Sequence, residues 1–322
     1  MKSGAVELER RQGRRSSLDT AVRSATVFVT LKKRVWDYCL LTKPRIVLLF
    51  ALTGASAMVM EGSLRADPLR FWMIFMGMVL TAGSANALNM YIDRDIDAVM
   101  ERTRKKRPLP DGRISPQGAL MFALVTGTLA TWLLYQFGSV LAAGLGVGTI
   151  AFYVGIYTMW LKRLTPYNIV IGGAAGATAP LIGWAAATGS ISLGAFVMFL
   201  IIFMWTPPHF WALALVVKDE YAAASVPMLP VVAGVPATKR QMFAYTVALV
   251  PLTLVLGLTG DCGIVYMVAA AALGYGFLVQ AWRVLKAPES AGDKPAWRMF
   301  GYSIVYLLTL YSVMIVDTLV RR

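Results

Sequence analysis

The stretch Asn86–Pro110, NALNMYIDRDIDAVMERTRKKRPLP, begins as the end of an apolar run and turns abruptly into acids and then bases. On a helix with about 100° between residues, Asn86, Asn89, Asp93 and Asp97 fall within roughly 80° of one another, while Asp95 points about 240° away from Asn89. Amides and carboxylates in such a column are hard oxygen ligands, suited to a Mg²⁺ ion that is shared with substrate phosphates. Arg102, Arg104, Lys105, Lys106 and Arg107 follow at once and could hold a diphosphate directly. Any one of these residues is as well explained as the charged flank of a helix leaving a bilayer. The column together with the basic run points to a site.

The remaining polar signals are fewer. Lys218-Asp219-Glu220-Tyr221 forms a second acidic cluster. Trp205-Thr206-Pro207-Pro208-His209 places two prolines late in an apolar run, which predicts a break or kink there. His209 is the single histidine, and a packing histidine explains it as well as a ligand does. Glu220 lies eleven residues on, only about 20° round an ideal helix, so the two would face one cavity if the helix resumes. Tyr157, Lys162, Arg163, Pro166, Tyr167 and Asn168 read as a loop from which Lys162 could reach a phosphate. Gly172, Gly173, Gly176, Pro180 and Gly183 read as positions where helices approach closely.

The elements that must position these groups are membrane helices. Of the 322 residues, 57% are hydrophobic and 15% charged, and the mean hydropathy is +0.62. That composition predicts an all-α polytopic bundle, not a soluble domain. Apolar segments of spanning length occur at 44–60, 71–92, 117–136, 139–161, 167–187, 192–217, 242–260, 263–282 and 299–319. With nine spans and the N-terminus inside, 27 of the 31 Lys/Arg lie on the cytosolic side; only Arg65, Arg70, Arg321 and Arg322 lie outside. The net charge of +14 is therefore read as orientation, with no nucleic-acid partner. The two acidic clusters stand four spans apart at the same side, as two four-helix pseudo-repeats plus one helix would place them. Residues 1–43 read as a basic cytosolic tail with an interfacial portion around Val27–Leu41, and 44–322 as the membrane domain. An Arg/Ser-rich start also occurs in mitochondrial presequences, but Glu7 and Glu9 argue against one. Cys39 and Cys262 show no metal-site spacing.

Asn89-x-x-x-Asp93-x-x-x-Asp97, followed by Arg102-Thr103 and Arg107-Pro108, resembles the first motif of intramembrane aromatic prenyltransferases of the 4-hydroxybenzoate polyprenyltransferase type. Leu161-Lys162-Arg163-x-Thr165-Pro166-x-Asn168, Ile171–Gly189, TPPHFWALALVVKDEY (Thr206–Tyr221) and VPMLPVV (Val226–Val232) are similar to the protoheme IX farnesyltransferase branch of that superfamily. The likeness covers about residues 40–320. Two departures stand out. The interval from Arg102 to Arg107 is one residue longer than the usual pattern, so Lys106 and Arg107 both qualify as the second base. The second acidic motif lacks a spaced aspartate pair, since Ala223 stands four residues after Asp219; Lys-Asp-Glu-Tyr is what the heme-modifying branch carries.

The resemblance implies that farnesyl diphosphate, heme B and water give heme O and diphosphate. It assigns Asn86, Asn89, Asp93, Asp97, Asp219 and Glu220 to a Mg²⁺ side and Arg102, Lys106, Arg107 and Lys162 to a diphosphate side, with His209 as a heme contact. It implies a multi-pass protein of the cell inner membrane, or the mitochondrial inner membrane in a eukaryote. A heme A synthase or an oxidase-assembly protein would be a fitting partner. A quinone- or chlorophyll-pathway prenyltransferase of the same fold is the nearest rival, disfavoured by Lys218–Tyr221 and Pro207–Trp211. A transporter would need charges spread through several spans, whereas here they gather at the ends.

Helical phase makes a direct prediction. Asp93→Asn and Asp97→Asn should each abolish turnover, since a metal site that loses a carboxylate loses charge and coordination together. Asp95→Asn should keep substantial activity; equal loss at all three in a turnover assay would show the single-face argument to be wrong.

Overall fold

A computed structural model describes residues 31–321, and every regular element among them is helical. The first 30 residues, which include most of the expected basic tail and the start of its interfacial portion, lie outside the described residues, as does Arg322.

A short helix α1 (31–41) precedes α2 (Pro44–Glu61) and α3 (Pro68–Ile92). Two short helices, α4 (Arg94–Val99) and α5 (Glu101–Arg104), carry the acids and bases of the first motif. Then come α6 (Pro116–Leu133), α7 (Val140–Ala151), α8 (Asn168–Ala177), α9 (Ala179–Thr188) and α10 (Leu193–Val216). The short α11 (Lys218–Ala223) and α12 (Leu229–Val232) lead to α13 (Gly234–Leu258), α14 (Ile264–Lys286) and α15 (Lys294–Arg321). Local chemistry sets the starts: prolines open α2, α3 and α6, and Asp67, Ser115, Ser139 and Ser192 cap the helices that follow them.

Among the described residues, nine helical segments are long and apolar enough to cross a membrane, in the predicted order. The chain is a multi-pass membrane protein. The seventh segment begins at Gly234, eight residues before the expected 242, because Gly234–Gln241 continues the helix beyond the apolar run. Neighbouring helices recur in the two halves, α3 on α6 and α10 on α13, and α15 returns to both α2 and α10 to close the bundle.

Three local expectations change. The prolines at 207 and 208 do not break α10, which runs unbroken from Leu193 to Val216. Thr206 Oγ1 donates to the Ile202 carbonyl at 2.8 Å, within the turn where the prolines supply no N–H. The interruption falls instead at Thr178, between α8 and α9, where Pro180 opens the second piece. Tyr157 is not in a loop: α7 continues as a wide π-helix, Phe152–Trp160, and ends in a 3₁₀ turn, Leu161–Arg163.

Of Gly172, Gly173, Gly176 and Gly183, three sit at close helix approaches. A Cβ on Gly183 would lie 2.4 Å from the Gly54 carbonyl oxygen, one on Gly172 would meet the Tyr157 ring, and one on Gly173 would meet Thr206. Gly176 faces nothing within 4 Å. Gly183→Ala should push α9 off α2 and destabilise the protein by about 1–3 kcal/mol, the usual range for overpacking. Gly176→Ala should not. Thermal unfolding of the two purified variants checks the pair.

Candidate active site

The acidic column forms because α3, although it ends at Ile92, is joined to α4 through Asp93 by bonds of helical spacing. The Asp93 N–H bonds the Asn89 carbonyl and the Asp97 N–H bonds the Asp93 carbonyl, each at 2.9 Å, so the i, i+4 ladder carries across the junction of α3 and α4. Asn86, Asn89, Asp93 and Asp97 are all buried, with Asp93 at 0% exposure and Asp97 at 2%. Asp95 turns outward and forms a two-pronged pair with Arg163, both contacts at 2.9 Å.

Buried carboxylates must be paired, and each of these is. Lys162, delivered by the 3₁₀ turn that ends the π-helix, bonds Asp93. Arg107 bonds Asp97. Lys43 Nζ donates to Asn89 Oδ1 at 2.6 Å, and Asn89 Nδ2 donates to Asp93 Oδ2 at 2.7 Å and to Thr158 Oγ1 at 3.0 Å. Three cations thus surround two carboxylates. Burial first, then the nearby Arg107, pull the Lys43 ammonium well below its ordinary pKa.

Lys43 is absent from the predicted set. Its signal was there: a lysine directly before Pro44, at the start of the first span, was counted only as an orientation residue. Its backbone lies in the left-handed region at φ 56°, unusual for a lysine and worth a structural reason. That conformation accompanies the turn from α1 into α2 and the contact with Asn89. Thr158 was missed because nothing in sequence marks a π-helix.

The basic run separates by orientation. Arg107 points inward, whereas Lys106 is exposed. Arg102 Nε is buried without a partner among the described residues, as are Asp93 Oδ1 and Asn168 Oδ1. The second cluster also separates. Glu220 Oε2 accepts the Arg102 backbone N–H at 3.0 Å, tying α11 to α5. Asp219 is exposed. An apolar layer that includes Ile96, Met100, Ile169, Tyr221 and Met228 lies between the two acidic segments. Asn86 Nδ2 donates to the Thr42 carbonyl at 2.9 Å.

His209 sits apart, in an aromatic box. Trp205 and Phe300 stack on it with centroids at 4.2 and 4.7 Å. Its Nδ1 is 2.6 Å from Ser303 Oγ, and that hydroxyl donates to the Phe300 carbonyl at 2.6 Å. The hydroxyl proton is thereby engaged, so Ser303 accepts from Nδ1–H and Nε2 is left as the basic ring nitrogen.

No group of three or more His, Cys, Asp or Glu side chains is placed to hold a metal ion among the described residues. Two carboxylates and an amide, with one carboxylate oxygen unpartnered, do fit a Mg²⁺ ion that completes its shell with substrate oxygens and water. A cleft of about 260 Å³ beside Asp67, Arg70 and Phe137 lies at the other end of α3 and is unrelated to this chemistry. Arg70 there is engaged by the Phe137 and Ala186 carbonyls.

Residues 47–304 match the UbiA prenyltransferase family. A protein named protoheme IX farnesyltransferase from Gloeobacter violaceus is 51% identical over 283 residues, covering 88% of this chain and 92% of that one. A solved structure described as a digeranylgeranylglyceryl phosphate synthase in membranes superposes with a TM-score of 0.72 at 18% identity, covering 89% of this chain and 99% of its own. A UbiA homolog from Archaeoglobus fulgidus, bound to DMAPP and Mg²⁺, gives 0.65 at 15% identity over 86% of this chain and 99% of its own. Those last two likenesses speak to the fold. The chain is therefore a prenyltransferase of the UbiA prenyltransferase family, grouping there with the protoheme IX farnesyltransferases.

Proposed function

We propose that this enzyme transfers the farnesyl group of farnesyl diphosphate to a vinyl group of heme B, with addition of water, giving heme O and diphosphate. The observation that carries this reading is the buried pair Asp93 and Asp97 ringed by Lys43, Lys162 and Arg107. Three cations on two carboxylates leave positive charge over, and a diphosphate is the anion that would take it. The resident Mg²⁺, when bound, would neutralise the leaving diphosphate and so favour ionisation of the allylic C–O bond. Asn89, Asp93 and Asp97 would hold it; Asn86 is engaged with the Thr42 carbonyl, Asp219 is exposed, and Glu220 acts through the Arg102 backbone.

The chain's own residues do the rest. Lys43, Lys162 and Arg107 grip the diphosphate, with Arg102 Nε as a further donor, and Arg107, not Lys106, serves as the second base of the motif. Apolar helix surfaces accept the farnesyl chain and the porphyrin and keep bulk water from the allylic cation. The electron-rich heme vinyl group attacks that cation, and water captures the resulting benzylic-type cation. His209 offers Nε2 to the heme, as an iron ligand or a propionate partner, from the Trp205–Phe300 box. Residues 44–322 form the catalytic domain. The basic end, with the N-terminus and the site, faces the cytosol in a cell inner membrane, or the corresponding side of a mitochondrial one. A heme A synthase or oxidase-assembly protein is a fitting acceptor of the product.

Expression in a host that lacks heme O tests the reaction: extracted pigment should contain a farnesylated, hydrated heme, identified by its mass. Prenylated quinone precursor without farnesylated heme would assign the chain to the rival activity. The heme contact has its own test. His209→Ala should weaken heme binding, followed at the Soret band, while farnesyl diphosphate affinity stays nearly unchanged. An unaltered heme spectrum and affinity would make His209 a packing residue.

A further inference from the structure

The inward turn of Arg107 needs a cause, because the four bases around it, from Arg104 to Lys106 and at Arg113, do not point into the site. Its neighbour in the chain supplies one. The Arg113 guanidinium donates through Nη2 to the Lys106 carbonyl at 3.0 Å, so it holds the peptide unit that leads into Arg107. The same guanidinium bonds Asp111 through Nε at 2.7 Å and Asp37 through Nη1. Asp37 belongs to α1, is only 5% exposed, and so is a buried carboxylate whose partner is this arginine.

The surroundings make this contact rigid. The Arg113 and Ile114 N–H groups both reach the Pro108 carbonyl, at 2.9 and 3.3 Å, and Gly112 turns the chain at φ 71°. Leu109 and Ile114 are buried in one apolar cluster with Leu41 of α1. The basic segment is thus clamped at both ends: Glu220 takes the Arg102 N–H in front, and Arg113 takes the Lys106 carbonyl behind. A side chain as long as arginine loses much rotamer freedom on binding, so fixing its backbone beforehand favours the bound geometry.

We propose that Arg113, held by the Asp37 carboxylate of α1, is a positioning residue for prenyl diphosphate binding: it fixes the Lys106–Arg107 peptide so that the Arg107 guanidinium is delivered into the site. This rests on the reading of Arg107 as a diphosphate ligand. The test uses the purified full-length protein and measures KM for farnesyl diphosphate, KM for heme, and binding of inorganic diphosphate by calorimetry. Arg107→Ala and Arg113→Ala should each raise the farnesyl diphosphate KM and weaken diphosphate binding on the order of tenfold. The heme KM should stay within about twofold, since uniform binding of one substrate is what is lost. The double variant should be no worse than Arg107→Ala alone, because the two residues act through one contact. Asp37→Asn, an isosteric change that spares the loop, should give a smaller shift of the same kind, and Arg113→Lys a partial rescue.

An effect of Arg107→Ala with none of Arg113→Ala or Asp37→Asn would overturn the positioning role and leave the diphosphate reading intact. Multiplying effects in the double variant, or a lowered melting temperature with both KM values rising together, would make Arg113 a general structural residue. No effect of Arg107→Ala itself would remove the diphosphate reading, and this inference with it.

Discussion

Two carboxylates with almost no exposure to solvent, at the end of a membrane helix, set the terms for this whole structure. An uncompensated buried charge is costly, and removing one partner of such a pair in general costs about 3–5 kcal/mol. The fold must therefore bring cations to Asp93 and Asp97 from wherever the chain can supply them. It does so from three distant places: the turn before α2, the segment after α5, and the turn after the π-helix. The short helices α4, α5, α11 and α12 gather at this end of the bundle, in the connections that carry the charged residues.

The two halves of the bundle contribute unequally. The first supplies Asp93 and Asp97 and all three cations that touch them or Asn89. The second supplies a backbone anchor through Glu220, an apolar layer through Tyr221 and Met228, and the aromatic box around His209. A repeat that retains the fold but not the acid column suits a reaction with one charged and one bulky apolar substrate. The charged leaving group needs one polar corner. The remaining walls serve best by excluding water.

Much of this was legible in the sequence, for stated reasons. Span length and composition gave the nine segments, since a bilayer leaves helices few alternatives. A period of 3.6 separated Asp95 from Asp93 and Asp97, and the structure keeps that phase across the α3–α4 junction. What periodicity cannot carry is the reach of long side chains. Lys43 joins Asn89 across 46 positions, and Arg107 rather than Lys106 reaches Asp97. Proline, too, misleads inside a bundle: Pro207 and Pro208 sit in an unbroken helix, while the interruption at Thr178 carried less obvious punctuation.

The wide helix at Phe152–Trp160 has a consequence for how such chains compare with one another. Thr158 Oγ1 reaches the Tyr153 carbonyl five residues back, at 2.7 Å, and the same Thr158 supports Asn89. An i→i+5 turn accommodates about one residue more than an i→i+4 turn without lengthening the helix to match. Lys162 therefore meets Asp93 at an angle that an ordinary helix of the same sequence would not give it. An ancestor that gained a residue here could keep its membrane thickness and still rotate the lysine. A gap at this point in two aligned chains would record a change of aim, not a change of length.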